Sequence, residues 1–362
     1  MALAAVPVQI APIPLKADGQ EQTEHGKSSE IATTDSIVQL RVALVSETTP
    51  LTTRFRALFA LKHHASEDPP TNHTIPAIEA IAAAFSSPSA LLKHELAYCL
   101  GQTRNVAAVP YLRGALQDLG EDAMCRHEAA EALGAIGDSE SLDLLKKFRD
   151  SSDEPAVVKE TCEIAIQRIA WEHSNERRAE QIHDSNFTSI DPAPPLAQST
   201  KALSIAELQR RLLDIQMPLF DRYRAMFALR DLSSPPDLPT SVPAIRALAS
   251  GFSDPSALFR HEIAFVFGQL SHPASIPSLI DTLSNRTEES MVRHEAAEAL
   301  GSLGDEEGVE DVLKSFLNDP EQVVRDSIIV ALDMAEFEKN GDAEYAILPA
   351  QQEHPPLMRF NS

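Results

Sequence analysis

Apolar and polar residues recur with a helical period through most of this chain. Ala, Leu, Val and Ile lie three or four positions apart in short segments, and Gly or Pro separates many of these segments. In the first half the pattern predicts helices at about residues 35–46, 50–64, 75–86, 89–103, 107–118, 122–136, 139–149 and 154–171. The second half repeats this set from about residue 203 to 337. The sequence therefore predicts an all-α protein.

The helices belong to a long internal repeat. "FSSPSALLKHELAYCLGQ" at 85–102 matches "FSDPSALFRHEIAFVFGQ" at 252–269, and "RHEAAEALG" stands at both 126–134 and 293–301. Both matches have the same offset of 167 residues. The chain therefore consists of two homologous halves, which we expect to be related by pseudo-twofold symmetry.

A shorter repeat lies inside each half. His94 and His127 are 33 residues apart, and so are His261 and His294. A period of this length with helical spacing is typical of one helical hairpin in an α-solenoid. Gly residues at 134, 137, 301 and 304 are expected to end the second helix of a hairpin.

The repeats also divide the chain into segments. Residues 172–200 are polar, contain prolines and show no apolar stripe, so they are expected to form a mobile linker without chemistry of their own. We predict a flexible N-terminal extension at 1–34, HEAT-like halves at 35–171 and 201–337, the linker at 172–200, and a flexible tail at 338–362.

Charge and cysteine content limit the possible partners and location. The net charge of −23, from 54 acidic and 31 basic residues, argues against nucleic acid and favours a cationic partner. Three cysteines without C-x-x-C spacing favour a reducing compartment. We expect neither a signal peptide nor a membrane span, and a cytoplasmic, and also nuclear, location fits these features.

Four histidines are each followed by a glutamate. The chain has twelve histidines, and the only ones with this neighbour are at repeat-equivalent positions: His94-Glu95, His127-Glu128, His261-Glu262 and His294-Glu295. A histidine on a helix is usually a structural residue, and duplication can copy it. These pairs, however, occur in only two hairpins of each half, although all hairpins share the apolar pattern. This selectivity favours a metal site.

Stacked hairpins align equivalent positions, so His94 should neighbour His127, and His261 should neighbour His294. If the halves face each other, four imidazoles and four carboxylates converge, a set that suits two metal ions. Two imidazoles and one carboxylate per ion are typical of non-haem iron oxygenases, although spacing leaves zinc and manganese open. Glu131 and Glu298 lie one helical turn after a histidine, so each is either a partner for an imidazole N–H or a surface carboxylate.

The hairpins resemble HEAT repeats through the "ALG" at the end of the second helix. The motifs "KHELAYCLGQ", "RHEAAEALGAIGD", "RHEIAFVFGQ" and "RHEAAEALGSLGD" together resemble the deoxyhypusine hydroxylase family over about residues 35 to 337. That resemblance implies hydroxylation, with O2 at a diiron centre, of the aminobutyl side chain of deoxyhypusine in translation initiation factor 5A, which forms hypusine. It also implies a monomer with two Fe2+ per chain.

The resemblance further implies roles for individual residues. One iron would be held by His94, His127 and Glu128, and the other by His261, His294 and Glu295. Glu95 and Glu262 would bind the amines of the substrate or serve as additional ligands, and no catalytic residue is implied beyond the metal centre.

Three other functions remain open from the residues alone. A non-catalytic HEAT-repeat scaffold for protein–protein interaction would bind no metal and would tolerate loss of His127. A bilin-lyase-like protein would bind a tetrapyrrole. A dinuclear hydrolase would use the same ligands with zinc or manganese and would need no oxygen.

Overall fold

The computed structural model describes residues 36–175, 177, 186–196 and 203–340, and this part contains helices but no strand. The predicted all-α fold is confirmed. Numbered in chain order, the helices are α1 (36–45), α2 (Leu51–Ala65), α3 (Thr74–Ala82), α4 (Ala90–Gln102), α5 (Val109–Gln117), α6 (Ala123–Ile136), α7 (Leu142–Arg149), α8 (Ala156–Glu172), α9 (Ile205–Leu213), α10 (Leu219–Leu232), α11 (Ser241–Ala249), α12 (Ala257–Leu270), α13 (Ile276–Ser284), α14 (Ser290–Gly301), α15 (Val309–Ser315) and α16 (Gln322–Asn340).

Successive helices pair into antiparallel hairpins, four in each half. The even-numbered helices form an inner layer, in which α4 packs on α6, α6 on α8, α12 on α14, and α14 on α16. The layer then closes on itself, because α8 contacts α10 and α12 of the second half and α16 returns to α2 and α4. The two homologous halves therefore face each other, as the predicted pseudo-twofold arrangement requires.

Two glycines allow inner helices to pack closely. A Cβ on Gly134 would lie 2.9 Å from Ala165 Cα of α8, and one on Gly301 would lie 2.9 Å from Ala331 Cα of α16. Gly137 ends α6 in the left-handed conformation, with φ 78°, as a helix-ending glycine should. The prediction that Gly134 also ends this helix is corrected, because Gly134 lies inside α6 and makes room for α8.

Part of the segment between the halves is packed, where we expected a mobile linker, and residues 176, 178–185 and 197–200 of it lie outside the described residues. Among its described residues, 186–196, Ala193 is fully buried and Asp191 forms a buried ion pair with Arg230 of α10 at 2.8 Å. Residues 186–196 are named here the bridging segment. It is held by polar contacts that an apolar pattern does not reveal.

The other predicted segments are only partly described. The first residues of the predicted tail, 338–340, continue α16. The extension at 1–34 and residues 341–362 lie outside the described residues. Within the part of the chain that the structure describes, no helix is long and apolar enough to cross a membrane.

Candidate metal centre

Each histidine of a His-Glu pair lies one turn inside an inner helix. The helices α4, α6, α12 and α14 begin four residues before His94, His127, His261 and His294. Side-chain caps fix three of these starts: Ser89 accepts from Leu92 N at 3.2 Å, Asp122 from Met124 N at 2.8 Å and Ser256 from Phe259 N at 3.1 Å. The shared start places the four histidines at one level of the inner layer.

The basic residue before each histidine anchors its helix. The Nε atoms of Arg126 and Arg293 donate to the carbonyl oxygens of Leu116 and Leu283 at 3.1 and 2.9 Å. In the other two pairs, Lys93 and Arg260 form ion pairs of 2.6 and 2.5 Å with Glu121 and Glu288 of the following hairpin. These contacts restrict the rotation of each inner helix and so direct its histidine toward the centre.

The four imidazoles form one buried cluster. Ring centroids are 5.4 Å apart for His94 and His127 and 5.4 Å apart for His261 and His294, as expected for stacked hairpins. Across the halves, His94 lies 5.4 Å from His294, and His127 lies 5.5 Å from His261. The predicted convergence of both halves is therefore present.

Glu128 and Glu295 face histidines of the preceding hairpins. Glu128 Oε2 lies 3.3 Å from His94 Nε2, and Glu295 Oε2 lies 3.3 Å from His261 Nε2. Two groups of side chains have ligand atoms within 4.8 Å of one another and can hold a metal ion: His261, His294 and Glu295, and His94, His127 and His261. The first group coincides with a predicted ligand set, whereas the second has His261 where the prediction has Glu128.

The imidazole nitrogens fit the role of metal ligands. Both ring nitrogens of all four histidines are buried without a hydrogen-bond partner among the described residues. A buried polar atom without a partner costs about 1–3 kcal/mol, so eight of them need a further explanation. A pair of cations in the cluster would satisfy four of the eight, one nitrogen of each imidazole, and would leave the other nitrogen of each ring as an N–H donor.

The protonation states of the cluster agree with this role. Burial, together with the neighbouring imidazoles, lowers the pKa of His127 well below its usual range. Burial lowers the pKa of His294 in the same way. Burial also raises the pKa of Glu128 to about 8. The imidazoles of His127 and His294 are thus neutral at pH 7, and positive charge in the centre would favour the ionised carboxylate of Glu128.

Glu95 and Glu262 belong to neither of the two groups that can hold a metal. Burial and the charge of Glu298 raise the pKa of Glu95 to about 8. Burial and the charge of Glu131 raise the pKa of Glu262 well above its usual range, and its Oε1 atom has no hydrogen-bond partner in the described part of the chain. Each of these carboxylates therefore faces a glutamate from the other half.

Glu298 and Glu131 differ despite their equivalent positions. Glu298 Oε1 lies 3.5 Å from His294 Nδ1 and accepts a hydrogen bond of 3.0 Å from Ser327 Oγ of α16. Glu131 shows no such contact with His127. Glu298 is thus the carboxylate placed beside an imidazole, and both residues are half-buried.

A pocket of about 790 Å³ reaches the centre from the C-terminal ends of the inner helices, and is named here the C-terminal pocket. Its lining includes Glu295 and Glu298, the aromatic pair Tyr98 and Phe265, and Lys62, whose Nζ lies 5.1 Å from the Tyr98 ring centroid. It combines carboxylates with apolar ring surfaces, a combination that suits a cationic chain with methylene groups.

Two glutamines that the sequence predictions missed hold the bridging segment over this pocket. Gln102 Oε1 accepts from Ile190 N at 2.8 Å, and Gln102 Nε2 donates to Ile190 O at 3.1 Å. Gln269 Nε2 donates to Ser189 Oγ at 2.8 Å. Both glutamines end the repeated "LGQ" and "FGQ" motifs, so their recurrence in the histidine-bearing hairpins was an available signal.

The three cysteines contribute to packing. All are buried, and burial raises the pKa of Cys162 to about 12 and that of Cys99 well above its usual range. Thiols with raised pKa values are poor nucleophiles and poor metal ligands at neutral pH.

Comparison with known proteins agrees with this architecture. A family model described as HEAT repeats matches residues 77–167 and 243–333. Deoxyhypusine hydroxylase of Phaeosphaeria nodorum is 71% identical over 313 residues, which cover 86% of this chain and 95% of that protein. Deoxyhypusine hydroxylase of Neurospora crassa is 66% identical over 314 residues, or 87% of this chain and 97% of that protein.

The chain belongs to the deoxyhypusine hydroxylase family. A solved structure of human deoxyhypusine hydroxylase in complex with glycerol is also similar, with 43% identity and a TM-score of 0.75 over 86% of this chain and 99% of that one. The resemblance that the four His-Glu motifs predicted is therefore confirmed.

Proposed function

We propose that this chain is a deoxyhypusine monooxygenase, which hydroxylates the aminobutyl side chain of deoxyhypusine in translation initiation factor 5A and so forms hypusine. The observation that carries the proposal is the cluster of four buried imidazoles whose ring nitrogens have no hydrogen-bond partner among the described residues. A HEAT-repeat scaffold would gain nothing from such atoms. Membership of the family supports the same reaction.

The metal ions in this proposal are two Fe2+ per chain. His94, His127 and Glu128 would hold one, and His261, His294 and Glu295 the other, with Glu95 and Glu262 free for the substrate. The second of these sets has the support of ligand atoms within 4.8 Å of one another. When bound, ferrous ions supply the electrons and open coordination positions that reaction with O2 requires.

The protein's own residues would bind and orient the substrate chain. Its ammonium groups would pair with Glu95 and Glu262, because buried carboxylates gain most from a cationic partner. Its methylene groups would lie against Tyr98 and Phe265, whose ring centroids are 5.9 Å apart. An occupied C-terminal pocket would exclude water from the reacting carbon.

The proposed partner is a protein, since deoxyhypusine is a modified side chain of a folded factor. The net charge of −23 favours association with a basic surface around the modified lysine. We also propose that the chain acts as a monomer, because one chain carries both histidine-bearing halves. We further propose that it acts in the cytoplasm and nucleus.

A direct assay tests this function. The purified chain would be loaded with Fe2+, Zn2+ or Mn2+ and incubated with deoxyhypusine-containing factor 5A, with and without O2. We expect hypusine only with iron and O2. Conversion of deoxyhypusine with zinc or manganese in the absence of O2 would instead indicate a dinuclear hydrolase, and would contradict the proposal.

A further inference from the structure

A second pocket lies on the opposite side of the metal centre from the C-terminal pocket. It has a volume of about 370 Å³ and is named here the N-terminal pocket. Its lining comes from the first two residues of six inner helices: Ala90, Ala123, Ala156, Ala257, Ser290 and Val323. The inner helices therefore have one pocket at each end, and the candidate metal centre lies between the two pockets.

The N-terminal pocket lies one helical turn from the imidazoles, which are not part of its lining. Ala90, Ala123, Ala257 and Ser290 each stand four residues before one of the four histidines. Residues four apart share a helix face and are separated by about 6 Å along the axis. Helical side chains also lean toward the N-terminus of their helix, so the imidazoles tilt toward this pocket.

Apolar side chains line the interior of this pocket, beside polar groups at the helix starts. Met124 and Met291, equivalent residues of the two halves, are 5% and 9% exposed and line it together with Val157. Its acidic residues, Asp122 and Glu289, are N-cap residues at the helix ends, and the Asp122 carboxylate accepts the Met124 N–H. No carboxylate lies deeper in its lining, whereas Glu295 and Glu298 line the C-terminal pocket.

We propose that the N-terminal pocket is the route by which dioxygen reaches the metal centre while the substrate chain fills the C-terminal pocket. This inference rests on the proposed function. Dioxygen is small and uncharged and needs no hydrogen-bond donor, so an apolar lining favours it over water and over the cationic substrate. A substrate in the C-terminal pocket blocks that side, and a second entrance keeps the centre accessible.

Xenon binding tests the pocket independently of activity. Xenon occupies apolar cavities, and about 150 Å³ is enough to hold it. The full-length chain would be crystallised and pressurised with xenon. We expect a xenon site between the N-terminal ends of α4, α6, α12 and α14. The absence of xenon from this pocket in the wild-type chain would overturn the proposal.

Filling the pocket tests its role. In Ala90→Leu/Ala257→Leu, two leucines occupy the empty space, and Ala115→Leu on α5 is the matched control because Ala115 lines neither pocket. We expect the double variant to lose the xenon site and to react severalfold more slowly with O2 after loading with Fe2+. The control should keep both properties, and iron content should be equal in all three proteins.

The rate of oxidation of the Fe2+-loaded chain by O2 is measured without substrate. If the chain does not hydroxylate deoxyhypusine, the proposed function is refuted. The oxidation rate without substrate still tests the role of the N-terminal pocket. If the double variant loses xenon but reacts with O2 at the wild-type rate, the N-terminal pocket is not the route of dioxygen.

Discussion

At the scale of single residues, the two glutamates that follow His94 and His261 are predicted to differ in role from those that follow His127 and His294. Glu128 and Glu295 lie 3.3 Å from imidazole nitrogens. Glu95 and Glu262 instead have raised pKa values, because of burial and of the charges of Glu298 and Glu131 of the opposite half. The same chemical change should therefore have different consequences at these positions.

We expect Glu95→Gln and Glu262→Gln to keep the metal and to lower kcat/KM for deoxyhypusine-containing factor by about tenfold to a hundredfold each, the worth of one charge-assisted hydrogen bond. Glu295→Gln, the matched change at a predicted ligand, should lose metal. Metal analysis beside steady-state kinetics checks this. Loss of metal in Glu262→Gln would make Glu262 a ligand.

The convergence of the four histidines of the His-Glu pairs was predictable from the sequence, because duplication keeps each pair at the same position of an equivalent helix. Contacts across the halves were less accessible. Glu298 and Glu131 are indistinguishable in the repeat, and among the described residues Ser327 of α16 donates the hydrogen bond that stabilises Glu298 beside His294. Spacing along the chain does not reveal which helix of the other half lies opposite a residue.

At the scale of helices, periodicity predicted the elements, whereas the reasons for their ends required the structure. The segment predicted as helix over 75–86 ends as α-helix at Ala82 and continues as a 3-10 turn to Ser86. Pro88 forces Ser87 into an extended conformation with ψ 144°, which stops the helix. Apolar spacing does not distinguish an α-helix from a 3-10 turn over one turn.

Close packing of α6 on α8 predicts a cost for any side chain at Gly134. Gly134→Ala should lower the free energy of unfolding by about 1–3 kcal/mol, because a Cβ there would overlap Ala165. Gly114→Ala on α5 is the matched control, since a Cβ there meets nothing within 4 Å, and it should stabilise the protein by up to about 1 kcal/mol. Urea unfolding measures both, and equal destabilisation would contradict this packing role.

The buried ion pair of Arg293 and Asp319 predicts a specific loss of stability in acid. Burial opposes ionisation, but the hydrogen bonds from Arg293 outweigh it and hold the pKa of Asp319 below its usual value. Stability from this carboxylate is therefore complete above its unfolded pKa of about 3.9 and is lost as the pH falls through the lower folded value.

Asp319→Asn should cost about 3–5 kcal/mol at pH 7, because it leaves the Arg293 charge buried without its partner. The difference in unfolding free energy from the wild type should shrink below about pH 4, where Asp319 of the unfolded wild-type chain begins to take up a proton. Urea unfolding of the metal-free proteins between pH 3 and 7 checks this. A difference that does not change with pH would contradict the assigned ion pair.

At the scale of the whole molecule, the bridging segment joins the two halves over the C-terminal pocket. Its polar composition predicted mobility, because periodicity detects apolar contacts and not side-chain hydrogen bonds. Gln102 and Gln269, one from each half, instead hold Ile190 and Ser189. The segment therefore belongs to the wall of the pocket.

Hydrogen exchange should find the Ile190 amide protected, because it donates to Gln102 Oε1 at 2.8 Å. In Gln102→Ala, residues 186–196 should exchange severalfold faster while the inner helices keep their protection. Gln117→Ala, an exposed glutamine at the end of α5, is the control and should change nothing. Fast exchange of this segment in the wild-type chain would restore the mobile linker.

The central claim is that the four histidines of the two halves hold a diiron centre, and elemental analysis tests it most directly. The wild-type chain, reconstituted anaerobically with Fe2+, would be compared with His127→Ala/His294→Ala and with His173→Ala, which removes an exposed histidine. We predict close to two irons per chain in the wild type and in His173→Ala, and none in the double variant. A wild-type chain that binds no metal, or a double variant that keeps both irons, would contradict the claim.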